Sequence, residues 1–272
     1  MSAAIPAALI VTAVLIAIRL SFPGNQASDQ AGRNSPPPAI GAQAEIAKMA
    51  SSTAFEGTSA VGALFTRNGA NLGPHFCSAS VVHSPKGNLL ITAAHCMSGQ
   101  SLRAPNGVVF APGFHDGQFP LGVWTVTAIY VTTRWMTLQD PNDDVAFLSV
   151  ANSGGKTVEQ AAGAEQLSDF TSLPIQAEVI GYPDSSEKPV ACTAPAVPYQ
   201  VGGLRQMEFT CDGYTTGTSG GPFLINVNPA TGDGQIIGVI GGYQQGGLTP
   251  MITYSSDFLD NVAALYRLAA SG

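Results

Sequence analysis

Residues 213–222 read GYTTGTSGGP, and the fold turns on what this stretch is. Ser219 sits between Gly217 and Gly221, the Gly-x-Ser-x-Gly spacing of a nucleophile elbow at a strand-to-helix turn. The same run is also a glycine-rich loop that presents a serine in another architecture, or a plain turn between two strands. Each reading makes a different demand on the rest of the chain.

A serine hydroxyl is a weak nucleophile; it needs a base within hydrogen-bond reach and a third group to orient that base. An elbow has the chain order serine, acid, histidine, so it needs a histidine after Ser219. All four histidines (His75, His83, His95 and His115) precede it. The elbow reading fails. His95 ends the apolar run Ile91-Thr92-Ala93-Ala94-His95-Cys96 in small residues that leave a cleft open. Asp144 heads another such run, Val145 to Leu148, which anchors the backbone while the carboxylate enters the cleft. Its neighbour Asp143 points to the other face of an extended chain and is the alternative. A zinc site built from His75, Cys77, His95 and Cys96 is disfavoured. Adjacent His95 and Cys96 diverge from one strand end, and an exported protein oxidises its thiols.

The organisation favours strands. The 272 residues are 45% hydrophobic, with 31 Gly and 19 Pro supplying turns. Short β-branched or aromatic runs recur at 60–65, 76–82, 88–96, 107–112, 123–131 and 145–150. After a polar stretch, 151–172, a second series follows at 177–183, 207–211, 221–227, 235–243 and 251–255. Asp257 to Ala270 is the one helix-length amphipathic pattern. It places Phe258, Val262, Leu265, Tyr266 and Leu268 on one face, with Ser255 or Ser256 as N-cap. Two strand sets and one terminal helix imply an all-β fold of two packed antiparallel barrels, about 59–150 and 165–255, with a C-terminal helix at about 256–270.

Charge excludes one class of partner. Lys and Arg number 11, scattered, and the net charge is −7, so no basic patch exists to neutralise phosphates and nucleic acid is not expected. Ala3 to Ile18 carries no charge, and a run rich in Pro and Gly follows. Residues 1–27 therefore read as an export signal or a membrane anchor through residues 3–18, and 28–58 as a linker or pro-segment too poor in large apolar residues to form a core.

TAAHC (92–96), DDVAFL (143–148) and GTSGGP (217–222), in that order, resemble the motifs of trypsin- and chymotrypsin-like serine peptidases over residues 59–270. The Gly-Tyr-Pro at 181–183 and the threonine-rich approach to Ser219 are similar to bacterial secreted members, including V8-like glutamyl peptidases. The resemblance implies two six-stranded barrels and no cofactor. It implies a monomer acting on protein or peptide substrates outside the cell, or tethered to the outer face of the plasma membrane. Ser219 attacks, His95 moves the proton, Asp144 holds the imidazole, and the N–H groups of Gly217 and Ser219 form the oxyanion hole. The substrate pocket falls to Gly213, Tyr214, Thr215 and Thr216 on one wall and Ile240, Gly241, Gly242 and Tyr243 on the other. Cys77 and Cys96 match the staple beside the histidine; Cys192 and Cys211 are inferred to form the second disulfide.

Two departures shape the expectations. Gly213 stands six before the serine, where trypsins hold the acid that binds Lys or Arg, and Asp212 is one residue off. Ile240 stands where glutamyl-specific enzymes use a histidine. Small or apolar side chains are therefore expected at the cleaved bond. Thr218 stands where zymogen-activated members carry an Asp that pairs with a freed N-terminus. Chains beginning anywhere between Ala27 and Ser59 are thus expected to be equally active. The alternative class, a catalytically silent peptidase-fold binding protein, usually lacks the serine or the histidine; this chain has both.

Overall fold

The computed structural model describes residues 50–98, 105–168 and 172–272. The apolar run 3–18, the signal or anchor and the linker as far as residue 49 lie outside them. The described chain opens on a two-residue strand, β1 (Thr53–Ala54). Then β2 (Val61–Asn68), β3 (Asn71–Val82), β4 (Leu89–Thr92), β5 (Val108–Pro112), β6 (Trp124–Val131) and β7 (Ala146–Val150) form a closed barrel in the order β2-β3-β4-β7-β6-β5. Closure leaves no unpaired strand edge.

The second sheet holds β8 (Gln166–Leu167), β9 (Ile175–Gly181), β10 (Val190–Tyr199), β11 (Gln206–Thr210), β12 (Pro222–Ile225), β13 (Gln235–Val239) and β14 (Ile252–Ser256). Its order is β14-β11-β10-β9-β12-β13-β8, with β1 laid on β10. The ends of its six-strand run meet: Gly241 N–H donates to the Tyr254 carbonyl at 2.9 Å, and Val239 N–H to Ser255 Oγ at 2.9 Å. The two short strands β1 and β8 raise the count beyond the six expected.

Sequence patterning missed β10 because Pro195 and Pro198 interrupt it. Both tolerate a missing N–H, since Pro195 pairs only with β9 and Pro198 only with β11. Helices α1 (Thr133–Leu138) and α2 (Val158–Ala162) are too short to show periodicity. The terminal helix α3 spans Asp260–Ser271 and starts later than the pattern suggested. Ser255 and Ser256, expected as N-caps, are instead paired with Met207 and Gln206 in β14. Leu268 is 59% exposed and Ala269 takes its place on the buried face with Phe258, Val262 and Leu265.

One apolar cluster joins everything. Val61, Ile91, Val109 and Phe147 of the barrel pack with Ile180, Leu224 and Val239 of the second sheet and with Val262 and Leu265 of α3. Residues 50–58, read from sequence as linker, form an arm on the second sheet. Asp212 N–H donates to the Ala50 carbonyl (2.9 Å), Ser52 N–H to the Asp212 carbonyl (2.8 Å) and Phe55 N–H to the Pro189 carbonyl (3.1 Å). Phe55 is half-buried against the common core, and Glu56 pairs with Lys188 (2.6 Å) and His115 (3.1 Å). The sequence signal was weak because backbone pairing, not a large apolar content, holds most of this arm.

Glu165 ties the barrel to the second sheet. Its N–H donates to the Val81 carbonyl and its carbonyl accepts from His83 N–H, both at 2.9 Å, while its carboxyl accepts from Gly234 N–H. The side chain is fully buried, and Oε1 has no partner among the described residues. Burial, reinforced by Asp233 and Glu178, pushes its pKa up to about 8 despite the Gly234 N–H. A folded-state pKa above the unfolded one gives stability that is present below about pH 4.5 and lost as pH rises through about 8. Glu165→Gln, which mimics the neutral form, is therefore expected to gain on the unsubstituted protein between pH 5 and 8. The gap in thermal midpoint should level off above that range. A gap that does not change with pH would refute the assignment.

Candidate active site

His95 leaves the barrel on a 3-10 turn, Ala94–Met97, directly after β4. Asp144 follows a second such turn, Pro141–Asp143, just before β7. β4 and β7 are neighbours in register, Thr92 facing Ala146, so the pairing of two apolar strands brings the two side chains together. Asp144 Oδ2 meets His95 Nδ1 at 2.7 Å, and Oδ1 accepts from the His95 backbone N–H at 2.8 Å. Gly242 N–H donates to Oδ2 at 2.8 Å. The carboxylate is fully buried and every contact comes from a donor, the condition under which a buried charge is tolerated. Gly241 must be small here, because a Cβ would lie 3.0 Å from Asp144 Oδ2 and 3.2 Å from the Ala93 Cβ.

Asp143 turns away. It faces Arg134 (3.4 Å) and the Asn261 side-chain amide (3.1 Å). The two acids diverge at the 3-10 turn, not through strand alternation.

Ser219 lies in the loop between β11 and β12 and shares a cleft of about 640 Å³ with His95. Three successive carbonyls of this loop are held: Thr216 by Asp184 N–H (2.8 Å), Gly217 by Ser78 Oγ (3.0 Å) and Thr218 by Gly221 N–H (3.0 Å). Across a trans peptide the carbonyl and the following N–H point in opposite directions. Holding the Thr216 and Thr218 carbonyls thus fixes the N–H groups of Gly217 and Ser219, and neither donates to an acceptor among the described residues. Gly217 has φ +94, and a Cβ there would sit 2.5 Å from Asp184 N and 2.6 Å from the Tyr182 carbonyl. Only glycine fits. Thr218 closes the loop on itself, its hydroxyl donating to the Thr215 carbonyl at 2.7 Å.

Of the expected pocket residues, Tyr214, Thr215, Thr216 and Ile240 line the cleft. The others do not. Gly241 and Gly242 face Asp144, Tyr243 stacks on Tyr199 with centroids 5.5 Å apart, and Gly213 packs against Ser52 of the arm. The second wall is instead Gln244 to Pro250, with Thr253 and, near the histidine, Phe76. Gln244 and Gln245 hold φ +54 and +56, followed by Gly246 and Gly247 at +104 and +123. The paired glycines at 241–242 and 246–247 are the sequence signal for this loop, which the family resemblance does not point to. Among the described residues, the cleft wall carries no ionisable side chain apart from His95 and the buried Tyr214.

Cys77 is bonded to Cys96 and Cys192 to Cys211. The first bond consumes the sulfurs of the Cys77, His95 and Cys96 grouping that a metal would need. The other grouping, Glu56, His115 and Asp116, already holds the Lys188 ammonium, 3.2 Å from Asp116.

Likeness to known proteins follows the same lines. Over 96 residues the sequence is 26% identical to the "Extracellular metalloprotease" of Bacillus subtilis (strain 168), a match over 35% of this chain that spans 30% of that protein's length. The fold is similar to protease Anisep from Arthrobacter nicotinovorans (TM-score 0.67, 21% identity, 81% of this chain and 100% of that one). It is similar to the thermostable serine protease AL20 from an extremophilic microorganism (0.65, 24%, 79% and 98%). A third likeness is to a Glu endopeptidase (0.59, 16%, 82% and 98%). Residues 77–239, more than half of the chain, match the trypsin-like peptidase domain, and the chain belongs to the trypsin-like serine peptidases.

Proposed function

We propose that the protein is a secreted serine endopeptidase that cleaves peptide bonds through a His95–Asp144–Ser219 triad and an acyl-enzyme. The observation that carries this is the 2.7 Å contact between a fully buried carboxylate and His95 Nδ1, in a cleft that also holds Ser219. With Nδ1–H committed to Asp144, Nε2 is the nitrogen left to take the Ser219 proton. Oγ attacks the carbonyl carbon, and the developing oxyanion is received by the N–H groups of Gly217 and Ser219. Collapse transfers the proton from His95 to the leaving amine, and water, activated by the same imidazole, hydrolyses the ester.

Among the described residues the wall that runs from Gln244 to Pro250 and from Tyr214 to Thr216 is uncharged, which favours an uncharged side chain at the cleaved bond, since a Lys, Arg or Glu would find no partner for its charge there. Two disulfides and the apolar run at 3–18 support export to an oxidising compartment. Among the described residues no helix is long and apolar enough to cross a membrane. The test is labelling with a fluorophosphonate probe. The wild type should label once per molecule and Ser219→Ala not at all, and a peptide library should be cut after uncharged residues. A folded wild type that does not label would favour the silent binding protein.

A further inference from the structure

We propose that Ser78, a residue outside the triad and the hole, is a positioning residue that sets the oxyanion loop through its hydroxyl. The proposal rests on the serine peptidase reading above. Ser78 lies in β3 of the barrel and is fully buried. Its Oγ accepts from Tyr182 N–H at 2.8 Å and donates to the Gly217 carbonyl at 3.0 Å. A hydroxyl has one hydrogen. With an amide donor filling the acceptor side, that hydrogen is committed to Gly217.

The backbone of Ser78 adds two more links. Its N–H donates to the Ser219 carbonyl at 2.7 Å, and its carbonyl accepts from Thr92 Oγ1 at 2.7 Å, three residues before His95. One residue thus joins the strand that delivers the histidine to the loop that delivers the serine. The carbonyls of Thr216 and Thr218 are held by backbone N–H groups, whereas that of Gly217, between them, is held by a side chain from the barrel. Gly217 has no Cβ, so steric hindrance to rotating the Gly217–Thr218 peptide is low. The Thr218 N–H, on the same peptide, is held by the Thr215 carbonyl at 3.1 Å. Without Ser78 Oγ that one contact would resist the rotation, and the buried Gly217 carbonyl and Tyr182 N–H would each lose a protein partner.

Ser78→Ala removes the hydroxyl and keeps the Cβ and both backbone links. Losing an oxyanion donor outright costs a factor of about 10² to 10³; the peptide that Ser78 holds lies between the two donor peptides, so its rotation shifts both donors and should lower kcat roughly 10- to 100-fold. KM should stay within about twofold, because ground-state binding uses the walls and not the hole. Rates are to be expressed per active site titrated with the fluorophosphonate probe, so that a merely structural loss, which reduces the number of folded molecules, leaves the value unchanged. The second-order labelling rate should fall with kcat. A folded Ser78→Ala with wild-type kcat and labelling rate overturns the proposal, as does a loss confined to KM. If Ser78→Ala is too unstable to assay, Ser78→Cys, which fills the site but offers only a weak S–H donor, must show a fall in kcat, and a folded Ser78→Cys with wild-type kcat overturns the proposal. Wild-type protein that does not label at all would count instead against the peptidase reading.

Discussion

Ser219→Ala and His95→Ala are each expected to lower kcat/KM by roughly 10⁴-fold or more, with no further loss in the double variant, because nucleophile and base act as one unit. Asp144→Asn should cost about as much, near 10⁴-fold, while leaving a folded protein. The reason is local. Asp144 accepts from His95 Nδ1, the His95 backbone N–H and the Gly242 N–H. An amide offers one acceptor oxygen, so its NH2 must face at least one of these donors, and His95 is held in the wrong tautomer or the wrong place. Asp143→Asn is the control. Its partners are Arg134 and Asn261, which set it apart from His95, so the change should spare turnover. Steady-state rates on a peptide substrate, with thermal midpoints for each variant, decide the matter. A severe Asp143→Asn beside a mild Asp144→Asn would move the acid assignment.

Shortening the chain to begin at Ser59 is expected to abolish most activity, whereas a chain beginning at Ile46 should match the full sequence. This replaces the expectation that all starts between Ala27 and Ser59 are equivalent. The arm at 50–58 pairs with Asp212 on both sides, and Ser52 packs on Gly213, where a Cβ would collide with its hydroxyl. Asp212 and Gly213 lead directly into Tyr214 to Ser219, one wall of the cleft. Removing the arm leaves the Asp212 N–H and carbonyl unpaired and uncovers the half-buried Phe55 site, a loss on the order of several kcal/mol from hydrogen bonds and apolar contact together. The expected readouts are a lower thermal midpoint and a KM raised at least tenfold. The two starts share no special N-terminal residue, so equal activity at Ile46 and Ser59 would show that the arm does not support the cleft. Activity confined to one particular free N-terminus would instead show a charge switch, which the Thr218 side chain is unable to receive.

Both variant sets bear on what was readable in advance. The order His95, Asp144, Ser219 and the absence of any later histidine were enough to discard the strand-to-helix elbow. That argument needs only chain order, which a sequence states directly. The strand runs were legible for a related reason. A strand in a closed or packed barrel is buried along its length, so its apolar and β-branched content stands out against turn residues. The cysteine pairs, 19 positions apart, were read in the same way once the family motifs gave Cys77 and Cys96 their place.

Tertiary structure decided the rest, wherever a residue's role depends on a backbone group far along the chain. The family resemblance implies a place in the substrate pocket for Gly241 and Gly242, yet they face Asp144, about a hundred positions earlier. Ser78 carries no sequence signal at all, because a buried serine in a strand reads like any other until Tyr182 and Gly217 close on its hydroxyl. The arm was invisible because edge pairing uses N–H and C=O groups that every residue has, so composition does not record it. The sequence by itself determined the order of His95, Asp144 and Ser219 and the motifs around them, since side-chain type and order are what it encodes. The backbone hydrogen bonds that aim those side chains form only on folding, and only the folded chain shows them.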